Sequence, residues 1–278
     1  METAKELLMN DGHTIPQLGL GVWQVPEADA ERVVLEAIGV GYRHIDSAQA
    51  YENEAGVGRA VRACPIPREE LFVTSKVRNK LQGYDSTLRG FDESLNRMGL
   101  DYLDLFLIHW PYPAVDRYVE TWKALIHIRE SGRVRSIGVS NFQPEHLDRI
   151  IGETGITPAV NQVELHIQFQ QRELRAYHQE LGIITQSWSP LGRGRALADP
   201  IVVGIAKAHR KTPAQVLLRW HLDSGLVTFP KSVHLERLRE NFDLFDFQLS
   251  PDELQQLQSL DSPEGRFGPK PEELDVAF

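Results

Sequence analysis

An acid and a phenol stand five residues apart early in the chain, at the end of a short apolar element. Residues 42–45 form this element, Asp46 ends it and Tyr51 follows. The end of a buried strand and the loop after it are where α/β enzymes place their chemistry. The two residues could therefore supply a charge partner and a proton donor. They are equally compatible with a structural role, in which Asp46 caps a helix and Tyr51 packs at its start.

Two further ionisable residues, Lys76 and His109, end later apolar stretches. Free tyrosine has a pKa of about 10, so it is a weak acid at neutral pH, and a nearby ammonium such as Lys76 would lower that pKa. Asp46 would compensate the buried lysine charge. His109 could donate a hydrogen bond to a carbonyl oxygen that Tyr51 protonates. Such a group delivers a proton but no electrons, so it requires a bound hydride donor.

The elements that must position these residues alternate along the chain as short apolar segments and helical patterns. The spacing between successive apolar segments is about 25 to 35 residues, the size of a βαβ unit. The predicted strands are 18–20, 42–46, 71–76, 102–109, 136–140, 159–164, 183–188 and 226–231. The predicted helices are 29–38, 87–98, 118–128, 145–151, 172–181, 201–209, 213–222 and 251–260, and a hairpin within 7–15 precedes them.

Eight alternations in 278 residues favour an α/β fold of the closed (β/α)8 TIM-barrel type, formed by residues 1–278 as one domain. The irregular tail, 263–278, is expected to cover the active-site face. A doubly wound open sheet is the alternative, but its fingerprint G-x-G-x-x-G is missing, since Gln24 and Leu197 replace the third glycine. In a barrel the strand ends that carry Asp46, Lys76 and His109 share one mouth. Their convergence there favours a functional site.

Composition excludes several classes of protein. The net charge of −9 argues against binding to nucleic acid or to a membrane surface. No apolar run approaches about eighteen residues and the N-terminus lacks a signal-peptide pattern, so we expect a soluble, cytoplasmic protein. A single cysteine, Cys64, excludes an internal disulfide and a cysteine-rich zinc site. No metal site is expected from the spacing of histidines and carboxylates.

Five motifs spread over essentially the whole chain resemble the aldo-keto reductase family. They are GYRHID at 41–46, DYLDLFLIHWP at 101–111, IGVSNF at 137–142, NQVE at 161–164 and PKS at 230–232. The chain is most similar to the bacterial branch that includes 2,5-diketo-D-gluconate reductases. The resemblance implies a catalytic tetrad of Asp46, Tyr51, Lys76 and His109. In it Tyr51 is the general acid, His109 orients the substrate, and the Lys76–Asp46 pair tunes the tyrosine.

The same resemblance implies a cytoplasmic, monomeric oxidoreductase that reduces small aldehydes and ketones with NADPH. The substrates would include α-dicarbonyls or keto-sugar acids such as 2,5-diketo-D-gluconate. NADPH would bind in an extended form without a Rossmann fold. Trp188 would stack on the nicotinamide, with Ser140, Asn141 and Gln162 on its carboxamide. The other implied contacts are Ser189 and Leu191 at the pyrophosphate, Lys231, Ser232 and Arg237 at the 2′-phosphate, and Glu240 and Asn241 at the adenine.

The residues by themselves also favour a phosphate site at the last predicted strand. Lys231 ends that strand and Arg237 lies on the helix after it, so the two form a compact cationic pair, and arginine binds phosphate in bidentate fashion. This pair favours NADPH over NADH, although surface charges on a helix remain the alternative. His234 stands where the diketogluconate enzymes have an arginine, which weakens the preference for NADPH.

The predicted substrate pocket contains Trp23, Arg78 and Trp110, with Tyr112 and the tail near Phe267 as further apolar walls. Many relatives have a tryptophan two positions after the catalytic lysine, where this chain has Arg78. An arginine in the pocket would favour acidic or hydroxylated ketones such as keto-sugar acids. Arg78 pointing to solvent is the equal alternative.

Two functions from other classes fit parts of the pattern. A regulatory subunit that binds NADP with little turnover is one, and the intact tetrad and acidic charge argue against it. A barrel aldolase or isomerase with Lys76 as a Schiff-base nucleophile is the other. That chemistry needs Lys76 free of Asp46 and has no use for a phosphate-binding pair.

Overall fold

Residues 5–274 are described by a computed structural model and contain two sheets. The first is an antiparallel hairpin of β1, Glu6–Leu8, and β2, Thr14–Pro16, as predicted. The second has eight parallel strands that pair in chain order. These strands are β3 Leu20–Gly21, β4 His44–Asp46, β5 Phe72–Val77, β6 Leu103–Ile108, β7 Val134–Ser140, β8 Val160–Glu164, β9 Ile184–Trp188 and β10 Val227–Thr228.

The eight-stranded sheet closes on itself through the residues just before β3. Leu18 forms a parallel bridge with Thr228 of β10. The Gly19 amide donates to the Thr228 carbonyl at 2.8 Å, and the Thr228 amide donates to the Gln17 carbonyl at 2.8 Å. Closure leaves no open sheet edge and brings the carboxyl ends of all eight strands to one mouth. The predicted (β/α)8 barrel is therefore confirmed.

Helices surround the barrel, and eight of those in the described chain overlap the predicted ones. Within residues 5–274 the helices are α1 Glu27–Val40, α2 Glu54–Ala63, α3 Tyr84–Met98, α4 Tyr118–Glu130, α5 Pro144–Thr154, α6 Arg172–Glu180, α7 Pro200–His209, α8 Pro213–Asp223, α9 Leu235–Phe242 and α10 Pro251–Gln258. None of them is long and apolar enough to cross a bilayer.

The prediction missed α2, and for α9 it placed Arg237 on a helix but gave no bounds. Helix α2 contains two glycines, which have low helix propensity. Packing explains one of them, because a Cβ at Gly58 would lie 2.0 Å from the Met98 carbonyl oxygen at the end of α3. Helix α9 is short and mostly polar, and buries only Leu238 and Asn241. Its apolar periodicity is therefore too weak to set its bounds from the sequence.

The core lies between the barrel wall and the helices. Strands β5 and β6 are buried along their whole length, as expected for parallel strands covered on both faces. Phe91 of α3 meets Phe106 of β6 edge-on, with ring centroids 5.0 Å apart. Such aromatic pairs add about 0.5–1.5 kcal/mol beyond the area they bury. This layer fixes the strands whose ends carry the polar site residues.

The C-terminal segment crosses the mouth of the barrel. It contains short 3₁₀ turns at Pro263–Gly265 and Pro271–Glu273. Leu274 packs against Trp110 and Tyr112, which follow β6 at the mouth. The described part of the predicted tail therefore lies over the predicted face, and positions 275–278 fall outside the described residues.

Three buried histidines make the fold sensitive to acid. Burial lowers the pKa of His44 to about 4, of His178 to about 4 and of His221 to about 3, from an ordinary 6.5. In the unfolded chain these histidines become protonated below about pH 6.5. In the native protein they stay neutral down to about pH 4. We expect the free energy of unfolding to fall from pH 6.5 to pH 4, by at most about 1.4 kcal/mol per unit for each histidine.

Urea unfolding at pH 6.5, 5.5 and 4.5 measures this dependence. His178→Asn should make the dependence shallower, with exposed His13→Gln as the matched control. A free energy of unfolding that stays level across this range would contradict the prediction.

Candidate active site

Four ionisable side chains from three strand ends and one turn meet at the mouth of the barrel. The Lys76 ammonium, fully buried on β5, donates to Asp46 Oδ2 at 2.8 Å and to the Ser47 carbonyl at 2.9 Å. The same Nζ lies 3.4 Å from the Tyr51 hydroxyl. The His109 ring, just after β6, meets the Tyr51 ring edge-on with centroids 5.8 Å apart. The structure thus brings the four predicted residues together.

Strand register explains why the lysine and the aspartate meet. Asp46 of β4 is paired with Thr74 of the adjacent strand β5. Side chains alternate along a strand, so Lys76, two residues after Thr74, points to the same face. The lysine side chain then spans back along that face to reach the carboxylate. The residue types at these positions create an ion pair because the register places them on one side of the sheet.

Burial and the ion pair set the charges of the site. Burial alone would lower the pKa of Lys76, but its interactions with Asp46 and Tyr51 together outweigh burial and the pKa is raised. Burial raises the pKa of Tyr51, and the Lys76 charge offsets this only in part. The Lys76 ammonium therefore lowers the pKa of Tyr51 as expected, but the increase caused by burial is larger. The pKa of His109 is well below its usual value because of burial and the charges of Lys76 and Arg78. At neutral pH the phenol is protonated and the imidazole is neutral.

Gln49 anchors the 3₁₀ turn Gln49–Tyr51, which carries the phenol. Its buried amide nitrogen donates to the Gly90 carbonyl at 2.8 Å and to the Ser94 hydroxyl at 2.9 Å. Its amide oxygen accepts from the Arg78 backbone N–H at 3.0 Å. The turn is therefore tied to helix α3 and to the end of β5. The sequence did not indicate this residue, because a lone glutamine in a loop is usually solvated.

Asn53 anchors the other side of the same turn. Its amide nitrogen donates to the Val22 carbonyl at 2.8 Å and to the Val25 carbonyl at 2.9 Å. Its amide oxygen accepts from the Ser47 hydroxyl at 3.1 Å. With buried amides on both sides, Tyr51 has little freedom to leave the lysine. Like Gln49, Asn53 was missed because only the fold brings these backbone carbonyls to it.

Arg78 does not line the pocket for which it was predicted. Its guanidinium donates to the Gln49 carbonyl and lies 3.9 Å from the Glu52 carboxylate. Only 17% of its side chain is exposed, so it does not point freely to solvent either. The described contacts of Arg78 are therefore with the Tyr51 turn, and a contact with substrate stays a prediction. The Gln49 carbonyl of the 3₁₀ turn lies within reach of the arginine, and the guanidinium donates a hydrogen bond to it.

A cavity of ≈ 470 Å³ opens at the mouth beside these groups. The predicted catalytic and pocket residues that line it are Trp23, Asp46, Tyr51, His109 and Trp110. The predicted cofactor residues that line it are Ser140, Asn141, Gln162, Trp188, Ser189 and Lys231. The predicted residues outside its lining are Lys76, which lies behind Asp46 and Tyr51, Arg78, Tyr112, Leu191, Ser232, Arg237, Glu240, Asn241 and Phe267.

One polar network joins the strand ends on the side of β7 and β9. Asn141, in a left-handed conformation with φ 63°, donates to the His109 carbonyl at 3.0 Å and to the Ser140 hydroxyl at 3.0 Å. The Trp188 indole donates to the Asn141 amide oxygen at 2.8 Å. The tryptophan ring is therefore oriented by the same asparagine that supports the histidine backbone.

A second network leads from β8 to the ion pair. The Gln162 amide nitrogen donates to Asp46 Oδ1 at 2.8 Å and to the Gln186 amide oxygen at 2.9 Å. Both Asp46 oxygens thus accept hydrogen bonds, one from Lys76 and one from Gln162. Gln186 is a further residue that the sequence did not reveal. It lies in the middle of β9, where the sequence predicts a buried structural residue and gives no sign of a role in the site.

The end of the site near β10 carries cations without carboxylate partners. Within residues 5–274, neither Lys231 nor Arg237 forms an ion pair, and both are exposed. Ser232 beside them is buried, while the Glu240 carboxylate accepts from the Thr212 hydroxyl at 2.7 Å. Of the two, Lys231 lines the cavity, and a cation without a carboxylate partner beside buried amides fits a phosphate-bearing dinucleotide. In the described part of the chain no group of histidine, cysteine and carboxylate residues could hold a metal ion.

Comparison with known proteins agrees with this geometry. Residues 16–262 match the model of the aldo/keto reductase family. An aldo-keto reductase of Mycolicibacterium smegmatis is 56% identical over 265 residues, which cover 95% of this chain and 96% of the relative. The methylglyoxal reductase DkgA of Escherichia coli is 48% identical over 268 residues, which cover 96% of each chain.

Solved structures give the same result. A Gox0644 mutant crystallised in complex with NADPH superposes with a TM-score of 0.96 at 50% identity, covering 99% of this chain and 100% of that one. Family match, sequence identity and fold agree over nearly the whole chain. The chain therefore belongs to the aldo/keto reductase family of oxidoreductases.

Proposed function

We propose that the protein reduces small neutral α-dicarbonyls with NADPH. Membership of the family makes the cofactor NADP(H), and NADPH is the ligand named for the related Gox0644 structure. The relative DkgA is named a methylglyoxal reductase, which is the substrate class proposed here. The observation that carries the proposal is the chain of contacts from Asp46 through Lys76 to the Tyr51 hydroxyl at one wall of the cavity.

NADPH, when bound, supplies the hydride for the carbonyl carbon. Trp188 is proposed to stack on its nicotinamide, and the amide network at Asn141 holds that indole in place. Ser140, Asn141 and Gln162 are proposed to bind its carboxamide. The proposed contacts farther along the cofactor are Ser189 and Leu191 at the pyrophosphate, Lys231, Ser232 and Arg237 at the 2′-phosphate, and Glu240 and Asn241 at the adenine.

Tyr51 is proposed to protonate the carbonyl oxygen. Burial keeps the proton on the phenol at neutral pH, so the acid is present when it is needed. As the proton leaves, the Lys76 ammonium 3.4 Å away stabilises the phenolate that forms. Neutral His109 can donate a hydrogen bond to the same oxygen and orient it. General acid assistance of this kind contributes about 10²- to 10⁴-fold in rate.

The shape and polarity of the cavity favour neutral over acidic substrates. The aromatic side chains Trp23, Trp110 and Phe229 form part of its lining together with Tyr51. Arg78, the arginine predicted to bind a substrate carboxylate, is engaged by the Gln49 carbonyl. The cations that line the cavity are Lys231, proposed at the 2′-phosphate, and Arg193, which lies over the Phe267 ring. A small dicarbonyl needs only one donor for each oxygen and fits such walls. Keto-sugar acids such as 2,5-diketo-D-gluconate are therefore the weaker candidates, and the experiments below compare the two classes.

Tyr51→Phe should remove the proton donor and leave the pocket intact. We expect kcat for methylglyoxal to fall by about 10²- to 10⁴-fold, while the Kd for NADPH stays within about threefold. Loss of absorbance at 340 nm measures turnover, and quenching of tryptophan fluorescence measures binding. Turnover that survives in the variant would exclude Tyr51 as the acid. Tight NADPH binding without turnover in the unmodified protein would favour a regulatory subunit.

Lys76→Met should affect both activity and stability. The variant leaves the buried Asp46 carboxylate without its counter-ion, and breaking a buried pair costs about 3–5 kcal/mol. We expect a lower free energy of unfolding in urea and a loss of kcat of at least about 100-fold. Exposed Lys80→Met is the matched control and should change neither quantity. A folded, active Lys76→Met protein would contradict the assigned pairing.

Arg78→Ala separates a role in the Tyr51 turn from a role in substrate binding. If Arg78 supports the turn, kcat should fall by about three- to tenfold for methylglyoxal and for a keto-sugar acid alike, with the KM ratio of the two substrates unchanged. Steady-state kinetics with both substrates provide the measurement. A KM that rises for the acid alone would restore the substrate contact and favour keto-sugar acids.

A further inference from the structure

We infer that Glu164 is a positioning residue, whose buried carboxylate holds the C-terminal segment, residues 262–274, against Trp188 and thereby sets the affinity of the site for substrate and cofactor. The inference rests on the proposed function, because that segment forms one wall of the same cavity. No role was assigned to Glu164 from its place at the end of the NQVE motif.

The Glu164 carboxylate is directed at the backbone of the C-terminal segment. Glu164 lies at the end of β8 and is 1% exposed. Its Oε1 accepts a hydrogen bond from the Phe267 N–H at 2.6 Å, and its Oε2 accepts one from the Gly268 N–H at 2.8 Å. His166 Nε2 lies 3.2 Å from Oε1. Burial would raise the pKa of this carboxyl, but His166 and the two amides together lower it. The group is therefore ionised at neutral pH and bonds two consecutive amides with its two oxygens.

The Phe267 ring connects the segment to the loop after β9. It stacks on the His166 ring with centroids 4.5 Å apart and planes 17° from parallel. The Arg195 guanidinium carbon lies 4.2 Å from the ring centroid and that of Arg193 lies 5.2 Å away. Both arginines belong to the loop that carries Ser189 and Leu191, the residues proposed at the pyrophosphate. That loop is therefore coupled to the C-terminal segment through one ring.

The held segment in turn forms the wall of the cavity. Gly268 and Pro269 line it. A Cβ at Gly268 would lie 2.6 Å from Cη2 of Trp188, so the backbone there touches the edge of the indole. Farther along, Leu274 packs on Trp110 and Tyr112. If the amides at 267 and 268 were released, both the indole edge and the pocket wall would lose their support.

Glu164→Gln tests the role of the carboxylate with the smallest change in shape. Glutamine keeps one acceptor but presents an NH₂ to the second amide, so two donors would face each other. We expect the KM for methylglyoxal and the Kd for NADPH to rise about tenfold, with kcat changed by less than about threefold. Trypsin cleavage after Arg266 should accelerate, because the Phe267 amide is no longer held. NADPH should slow that cleavage in the unmodified protein.

Phe267→Ala is the second variant, since it removes the ring and keeps the carboxylate bonds. It should raise the Kd for NADPH about threefold to tenfold and leave the free energy of unfolding nearly unchanged. The matched control is Asp104→Asn, a buried carboxylate near the start of β6, at the opposite end of the barrel. It accepts from the Val73 amide and pairs with two arginines. This control should lose stability without any change in KM.

The inference is overturned if Glu164→Gln leaves KM, Kd and cleavage after Arg266 as in the unmodified protein. It is also overturned if Asp104→Asn raises KM and Kd as much, since the effect would then be general destabilisation. Failure of the proposed function has a different signature. In that case the unmodified protein reduces no carbonyl, while the NADPH Kd and the cleavage rates still report on Glu164.

Discussion

The buried ion pair between Lys76 and Asp46 is the interaction on which the rest of the site depends. Removing two charges from water is costly, and a buried pair persists only where every donor and acceptor is satisfied. Here the ammonium contacts Asp46, the Ser47 carbonyl and the Tyr51 hydroxyl, and the second Asp46 oxygen accepts from Gln162. The hydrogen bonds that stabilise the pair are also those that place the phenol beside a positive charge. Stability and chemistry share the same contacts.

Buried amides make this arrangement rigid. Gln49 and Asn53 hold the tyrosine turn from two sides, while Asn141 orients the Trp188 indole and Gln162 the Asp46 carboxylate. Each of these amides is bonded to a backbone carbonyl or to another side chain of the site. Preorganised dipoles of this kind need little reorganisation when charge develops on the substrate. The barrel supplies the geometry, because its closure places all strand ends around one mouth.

Loop residues show where a family pattern is a poor guide to position. The resemblance to the family suggested that Arg78 contacts the substrate. In the structure its guanidinium binds the Gln49 carbonyl, so the arginine supports the tyrosine turn. The reverse holds for Glu164, which has no role in the sequence interpretation and yet bonds two amides of the C-terminal segment. In both cases the partner is backbone that only the fold brings near.

The sequence by itself determined the barrel and the four ionisable residues that meet at its mouth. Apolar periodicity depends on local spacing, and polar residues at the ends of parallel strands must converge once the sheet closes. The tertiary structure decided the features that do not follow from the local spacing of residues. It showed that burial outweighs Lys76 in setting the pKa of Tyr51, that helix α2 keeps Gly58 to approach α3, and where Arg78 and Glu164 bind. These outcomes depend on desolvation and on contacts between residues far apart in the chain, which no short stretch of sequence encodes.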